Sequence, residues 1–189
     1  MKLSILIPTL NSRIEHFLAL KEELWRQIVF NKAEDLVEIK KLSNGGELTI
    51  GHYRNQLLMD ATSEYVCFFD DDDEPSRKYI QLILDALKTN PDCCSLKGII
   101  TTNGTDGQIF EHSIDYKEYK TNPPTFGITY ERYPNHLNVI KTEIAQQFKY
   151  LEINHGEDTS WAIEVFNSGL LKTEGYIGDV IYHYKYKTK

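Results

Sequence analysis

Three times in its first ninety residues the chain passes from a short apolar stretch into a segment of helical spacing, and this alternation constrains the fold more than any other feature. Leu3 to Ile7 is a nearly continuous apolar run followed by Pro8-Thr9-Leu10-Asn11-Ser12. That predicts a buried strand, a turn, and a helix start capped by Asn11 or Ser12. Ile14, Phe17, Leu18, Leu24, Trp25 and Ile28 then recur at helical spacing with charges between them. Leu36 to Leu42 predicts a second strand, and Asn44-Gly45-Gly46 a turn. Ile50 to Ala61 predicts a helix with Leu57, Leu58 and Ala61 on one side. Tyr65-Val66-Cys67-Phe68-Phe69 is the most apolar strand candidate, and Ser76 opens a helix that Asn90-Pro91 ends.

Such alternation predicts the α/β class, with a central, mostly parallel, Rossmann-like sheet flanked by helices. Ligands of such sheets bind beyond the carboxyl ends of the strands. Two polar clusters fall there: Pro8 to Asn11 after the first strand, and Asp70-Asp71-Asp72-Asp73-Glu74 after the third. The second half reads differently. Cys94 to Thr102 and Gln108 to Glu111 suggest a strand–turn–strand unit around Asn103-Gly104-Thr105-Asp106-Gly107. Asp115 to Pro134 lacks periodicity and predicts a long binding loop. Thr142 to Gln147 predicts a short helix, and Gly156-Glu157-Asp158 opens another that runs to Asn167. Val180 to Tyr186 alternates like an edge strand.

The 189 residues, 41% hydrophobic and 26% charged, suit one domain with one sizeable core. The net charge of -7 is a poor match to bare nucleic acid. Three cysteines, an odd count without zinc-like spacing, point to buried thiols in a reducing compartment. The start is too soon polar for a secretory leader, and no apolar run approaches the roughly 20 residues of a membrane helix. The expectation is a soluble, cytoplasmic protein.

Five adjacent carboxylates repel one another unless a cation sits among them. The strand before them delivers Asp70 to Glu74 to the ligand-binding edge of the sheet. Their oxygen ligands suit a hard divalent ion, Mn2+ or Mg2+, which would also hold a diphosphate. A calcium loop fits poorly, because no glycine occupies the mid-loop turn and no glutamate closes a loop of about twelve residues. Asp70 with Asp72 and Asp71 with Asp73 share the same Asp-x-Asp spacing, so the register stays open by one residue.

Four segments in order resemble inverting, family-2-type glycosyltransferases with the GT-A fold. They are Leu3 to Asn11 as the opening strand, Gly51-His52-Tyr53-Arg54-Asn55 as a G-x-x-R-N helix start, Tyr65 to Asp73 as the strand ending in Asp-x-Asp, and Gly156-Glu157-Asp158-Thr159-Ser160-Trp161 as the late Glu-Asp motif. Thr105 to Tyr133 carries no recognisable counterpart. The resemblance implies one domain over residues 1–189, with a nucleotide-sugar-binding half to about residue 104 and an acceptor-binding and catalytic half from about 105, the latter including a small antiparallel portion. It implies metal-dependent transfer of a sugar from a nucleotide diphosphate, UDP above all, to a hydroxyl.

The residue roles follow from motif position. Asp72 would be the main metal ligand, Asp73 would assist, and His183 stands where some relatives carry a third ligand. Asp70 would face the nucleotide ribose, with Asp71 beside it. Pro8 and Thr9 would border the base, and Asn11 and Arg13 continue that donor-binding loop. Arg54 or Asn55 would approach the diphosphate, for which an Arg fork is suited. Asp158 is the candidate base, with Glu157 second; acids in the first turn of a helix also answer its dipole. Trp161 could stack on a sugar or pack in the core. His136 and His155 are weaker candidates, and Pro134 to Asn138 would line the acceptor side.

A sugar nucleotidyltransferase is an alternative, but its glycine-rich phosphate loop is missing from Pro8 to Arg13. A non-catalytic, cation-dependent glycan-binding module is another. The acceptor could be a glycan, a protein or a modified nucleobase hydroxyl. A basic surface of Lys117, Lys120, Arg132, Lys141 and Lys149 would favour the last.

Overall fold

A computed structural model describes residues 1–123 and 127–188, except the side chain of Asp106. Part of the loop expected over Asp115 to Pro134 therefore lies outside the described residues. The first half holds β1 (Leu3–Leu10), α1 (Ile14–Phe30), β2 (Val37–Asn44), α2 (Ile50–Met59) and β3 (Tyr65–Phe68). Then come β4 (Glu74–Pro75), α3 (Tyr79–Ala86), β5 (Cys93–Cys94), β6 (Leu96–Thr102) and β7 (Thr105–His112). The rest comprises β8 (Lys120–Thr121), β9 (Tyr130–Arg132), β10 (Ile140–Lys141), α4 (Thr142–Ala145), α5 (Glu157–Ser168), β11 (Glu174–Gly175) and β12 (Val180–Tyr186).

The central sheet has the order β11-β5-β10-β3-β1-β2, with β1 parallel to both neighbours. Period-two alternation along β1 divides the core. Leu3, Ile5 and Ile7 face α1 and α3 and pack with Phe17, Leu24, Ile28, Ile80 and Ile83. Leu6 faces the other way, toward Leu57 and Leu58 of α2 and Trp161 and Val165 of α5. Helices on both faces of a mostly parallel sheet are the architecture that the alternation predicts. Pro8 sits within β1 because β3 pairs only as far as Leu6, so beyond that point β1 has one neighbour and needs fewer donors.

The second sheet, order β4-β12-β6-β7-β9-β8, is larger and more mixed than the small antiparallel portion expected. β6 and β7 form the antiparallel hairpin, but β12 returns parallel to β6. The expected edge strand is thus an inner one. The tail of the acidic run supplies the outer strand, pairing Pro75 with Tyr182 and Glu74 with His183. The start of α1 also differs from expectation. Asn11–Arg13 forms a turn of 3-10 helix, and no side chain caps α1. The three cysteines are free and buried. Among the described residues no helix is long and apolar enough to cross a membrane.

Candidate active site

β3 is buried at every position, and its continuation, Phe69, packs between Tyr79 and Tyr182. The carboxylates that follow are therefore held at the strand end, with Arg54, Arg13 and Tyr182 among their partners. Asp70 accepts a hydrogen bond from Arg54 Nη2 at 3.0 Å. Burial opposes its ionisation, but the Arg54 guanidinium and His136 outweigh it and hold the carboxyl well below the usual range. Asp71 is buried, accepts from the Thr9 hydroxyl and pairs with Arg13. Arg13 also lies 2.8 Å from the more exposed Asp72. Asp73 is 4% exposed and accepts from the Tyr182 hydroxyl at 2.6 Å and the Lys185 N–H at 2.8 Å. Those bonds do not offset burial and the repulsion of Asp70, which push its pKa up to about 8.

The G-x-x-R-N segment is a clamp between distant motifs. At Gly51 the chain following Phe148 runs so close that a Cβ would overlap the Leu151 carbonyl oxygen. Arg54, 4% exposed, sends Nη1 to Glu157 Oε1 at 2.9 Å while Nη2 holds Asp70. Its guanidinium lies over the rings of Phe68 and Tyr150. Asn55 grips the Tyr150 backbone twice, donating to its carbonyl at 2.9 Å and accepting from its N–H at 2.8 Å. Both side chains expected near the diphosphate are thus engaged inside the protein.

α5 begins at Gly156, whose φ of 82° suits glycine alone. Of the two acids that follow, Glu157 is buried against Arg54, while Asp158 borders a cavity of about 390 Å3. Asp70 and His136 border the same cavity. The His136 ring is 5% exposed and stands between the two carboxylates, its Nε2 3.6 Å from Asp70 and its Nδ1 3.8 Å from Asp158. Neither ring nitrogen has a hydrogen-bond partner among the described residues. A second cavity, of about 430 Å3, lies on the other side of the acidic run, where Asp71, Asp72 and Asp73 meet Arg26, Arg77 and Lys185.

Other expected residues stand apart. His183 follows Tyr182 on β12 and so points to the opposite face from the hydroxyl that holds Asp73. Among the described residues no three His, Cys, Asp or Glu side chains are arranged to hold a metal. His183 pairs in register with Glu74, and it forms no three-ligand group with Asp72 and Asp73 among the described residues. Trp161 is 2% exposed and stacked on Tyr150 with centroids 5.0 Å apart, so core packing is the geometry found for it. Asn11 is exposed in its turn, and Pro8 is buried beside Leu42. His155 lies exposed in the loop before Gly156. His112, at the end of β7, borders the 390 Å3 cavity and was not among the sequence candidates. The available signal is the strand period, which puts Phe110 and His112 on one face.

The whole chain superposes on S. aureus TarS 1-349 in complex with UDP-GlcNAc, with a TM-score of 0.66 at 18% identity. A further structure of S. aureus TarS 1-349 matches 98% of the chain with a TM-score of 0.63 at 17% identity. The chain spans 60% of the length of these TarS structures. At such identity the likeness shows the fold, a GT-A-like one. No curated protein matches the sequence at a significant level. The profile of glycosyl transferase family 2 matches residues 25–153, well over half of the chain, and the protein belongs to that family.

Proposed function

We propose that this protein is an inverting, metal-dependent glycosyltransferase that moves a sugar from a nucleotide diphosphate, UDP above all, to a hydroxyl acceptor. One observation carries the reading. Asp70 and Asp158, from opposite halves of the chain, border one cavity with His136 between them at the carboxyl edge of the parallel strands. Inversion needs a base for the acceptor proton on one side of the anomeric carbon and a leaving diphosphate on the other. Asp158 opens into the cavity and suits the base. Glu157, bound to Arg54, suits an anchor for the start of α5.

The charged side of the site fits a divalent cation. Asp72 and Asp73 provide hard oxygen donors, and the partners of the buried Asp73 among the described residues are a hydroxyl and a backbone N–H, with no cation. Among the described residues no third protein ligand joins them, and phosphate oxygens of the donor would complete the set. A bound Mn2+ or Mg2+ would act as a Lewis acid on the departing diphosphate. Thr9 and Arg13 hold Asp71 and so shape the rim where the nucleotide would lie. A nucleotide-sugar donor is supported by the fold shared with the UDP-GlcNAc complex of TarS. A panel of UDP- and GDP-sugars tests the proposal. Slow hydrolysis of one of them with Mn2+, abolished by Asp158→Asn while donor binding remains, is the expected result. Failure to bind any nucleotide of the panel refutes it.

A further inference from the structure

The hydrogen bonds around Asn138 fix a proton on the neighbouring His112. Asn138 Nδ2 donates to the Cys94 carbonyl at 3.0 Å, and a carbonyl can only accept. Asn138 Oδ1 accepts from the Asn135 backbone N–H at 3.0 Å, and an N–H can only donate. Two main-chain groups of fixed polarity therefore orient this buried amide. The same Oδ1 lies 3.0 Å from His112 Nδ1, so Nδ1 must carry a hydrogen. Burial keeps the ring neutral, lowering its pKa to about 3 against the pull of the Asn138 bond. A neutral ring protonated at Nδ1 leaves Nε2 with a lone pair and no proton.

Nε2 has no partner among the described residues, and His112 borders the 390 Å3 cavity. Two carboxylates in the same wall, Asp70 and Asp158, are also acceptors, and the wall's guanidinium, Arg132, has its Nη1 taken by the carbonyls of Lys120 and Glu131. The apolar wall includes Phe110, Tyr130 and Tyr184. A ligand for these surroundings needs several hydroxyl donors and C–H faces to lay on aromatic rings. A neutral sugar has both. A phosphate or a sugar carboxylate seated against His112 would face the Asp70 and Asp158 carboxylates across the same cavity.

We infer that His112 is a specificity-determining residue, whose Nε2 accepts a hydrogen bond from one hydroxyl of a neutral donor sugar seated in this cavity. The inference rests on the proposed transferase reading. A hydroxyl removed from that position leaves a buried acceptor unpaired, and such a loss discriminates more strongly than a missing methylene.

Histidine labelled with 15N in the intact chain tests this through long-range proton–nitrogen correlation, with Mg2+ as the cation and UDP, UDP-glucose, UDP-galactose and UDP-N-acetylglucosamine as probes. His112 should be neutral with its proton on Nδ1 from pH 5 to 8. At least one sugar nucleotide should move its Nε2 resonance, and UDP alone should not. One monodeoxy analogue of that donor should bind about five- to twentyfold more weakly. His112→Phe should weaken the parent donor by a similar factor, leave UDP affinity unchanged, and add no further loss with the deoxy analogue. The wild-type spectra and the analogue series stand even if this variant fails to fold. A proton on Nε2, additive losses, or an unmoved resonance while UDP binds overturns the inference alone. Absence of binding by all four probes overturns the transferase reading as well.

Discussion

The Arg54 guanidinium lies 2.9 Å from the Glu157 carboxylate, a buried contact between residues 103 positions apart. Through this pair α2 fixes where α5 begins, and with it where Asp158 meets the cavity. The other side of the same guanidinium fixes Asp70. One cation thus registers the acidic strand end against the late Glu-Asp motif.

Removing that cation leaves buried carboxylates unpaired, which costs far more than an exposed ion pair returns. Arg54→Met should lower stability by about 3–5 kcal/mol, and Arg54→Lys should restore only part, because an ammonium lacks the planar fork. Urea unfolding gives the answer. A midpoint shift worth under about 1 kcal/mol would contradict the clamp.

The two acids of the motif should separate by phenotype. Asp158→Asn should reduce turnover by about 10²–10⁴ with the fold and donor binding retained. Glu157→Gln should lower the melting temperature, since Arg54 loses a charged partner, and should spare turnover per folded molecule by comparison. Equal turnover losses with equal stabilities would remove the distinction between them.

The acidic run makes a second separation. Asp72→Ala should abolish cation-dependent donor binding. Asp71→Ala leaves Arg13 to Asp72 alone and frees the Thr9 hydroxyl, and should weaken the nucleotide while leaving the cation dependence in place. Titration of UDP with and without Mn2+ distinguishes them, and matching behaviour would reassign the ligand pair.

Asp73 gives a pH dependence with a definite sign. Its pKa is about 8 in the fold, against 3.8 as the ordinary value. Between those limits the folded state holds a proton that the unfolded chain has lost, so stability in a chelator should fall as pH rises through this window. A cation takes only the carboxylate form, and its affinity should therefore rise with pH, by up to about tenfold per unit, and level off above about 8. Melting curves in chelator and in Mg2+ at pH 6 and 8.5 check both signs. A cation-free protein that gains stability over this range would show that Asp73 is already ionised.

The cysteines give a control on the fold. Burial raises the thiols of Cys67 and Cys94 to about 12, and Cys93 also moves upward. Iodoacetamide should leave all three unmodified in the native protein and alkylate them in urea. Rapid native labelling of Cys93 or Cys94 would mean that β5 opens readily, and labelling of Cys67 that β3 does.

The sheet and its helices were legible because the nearly continuous apolar run Leu3 to Ile7 and period 3.6 in Phe17, Leu24 and Ile28 report burial directly. Gly51, Arg54 and Asn55 announced themselves as a group, but a sequence gives no partner for a guanidinium. Phosphate and buried carboxylates suit it equally, and only the fold shows Asp70 and Glu157 around it. His136 carries no local spacing signal, and the strand period that puts His112 with Phe110 names no partner, since the neighbours of both histidines in space come from the acidic run, α5 and Asn138. The inner position of β12 was hidden for a similar reason. Its outer neighbour is a two-residue strand, Glu74–Pro75, too short to have a period.

Asp73 is joined to the Tyr182 hydroxyl and the Lys185 N–H, 109 and 112 residues further on. At roughly 5–20 residues per second, the acidic run leaves the ribosome about 5–20 s before those partners are made. A nascent chain cannot bury this carboxylate until β12 arrives, so the parallel β2-β1-β3 part of the first sheet can assemble early while the site stays open to water. Closure of the site is then a late, long-range event, and a translational pause before Val180 would prolong the exposure of Phe69, whose other aromatic cover is Tyr79.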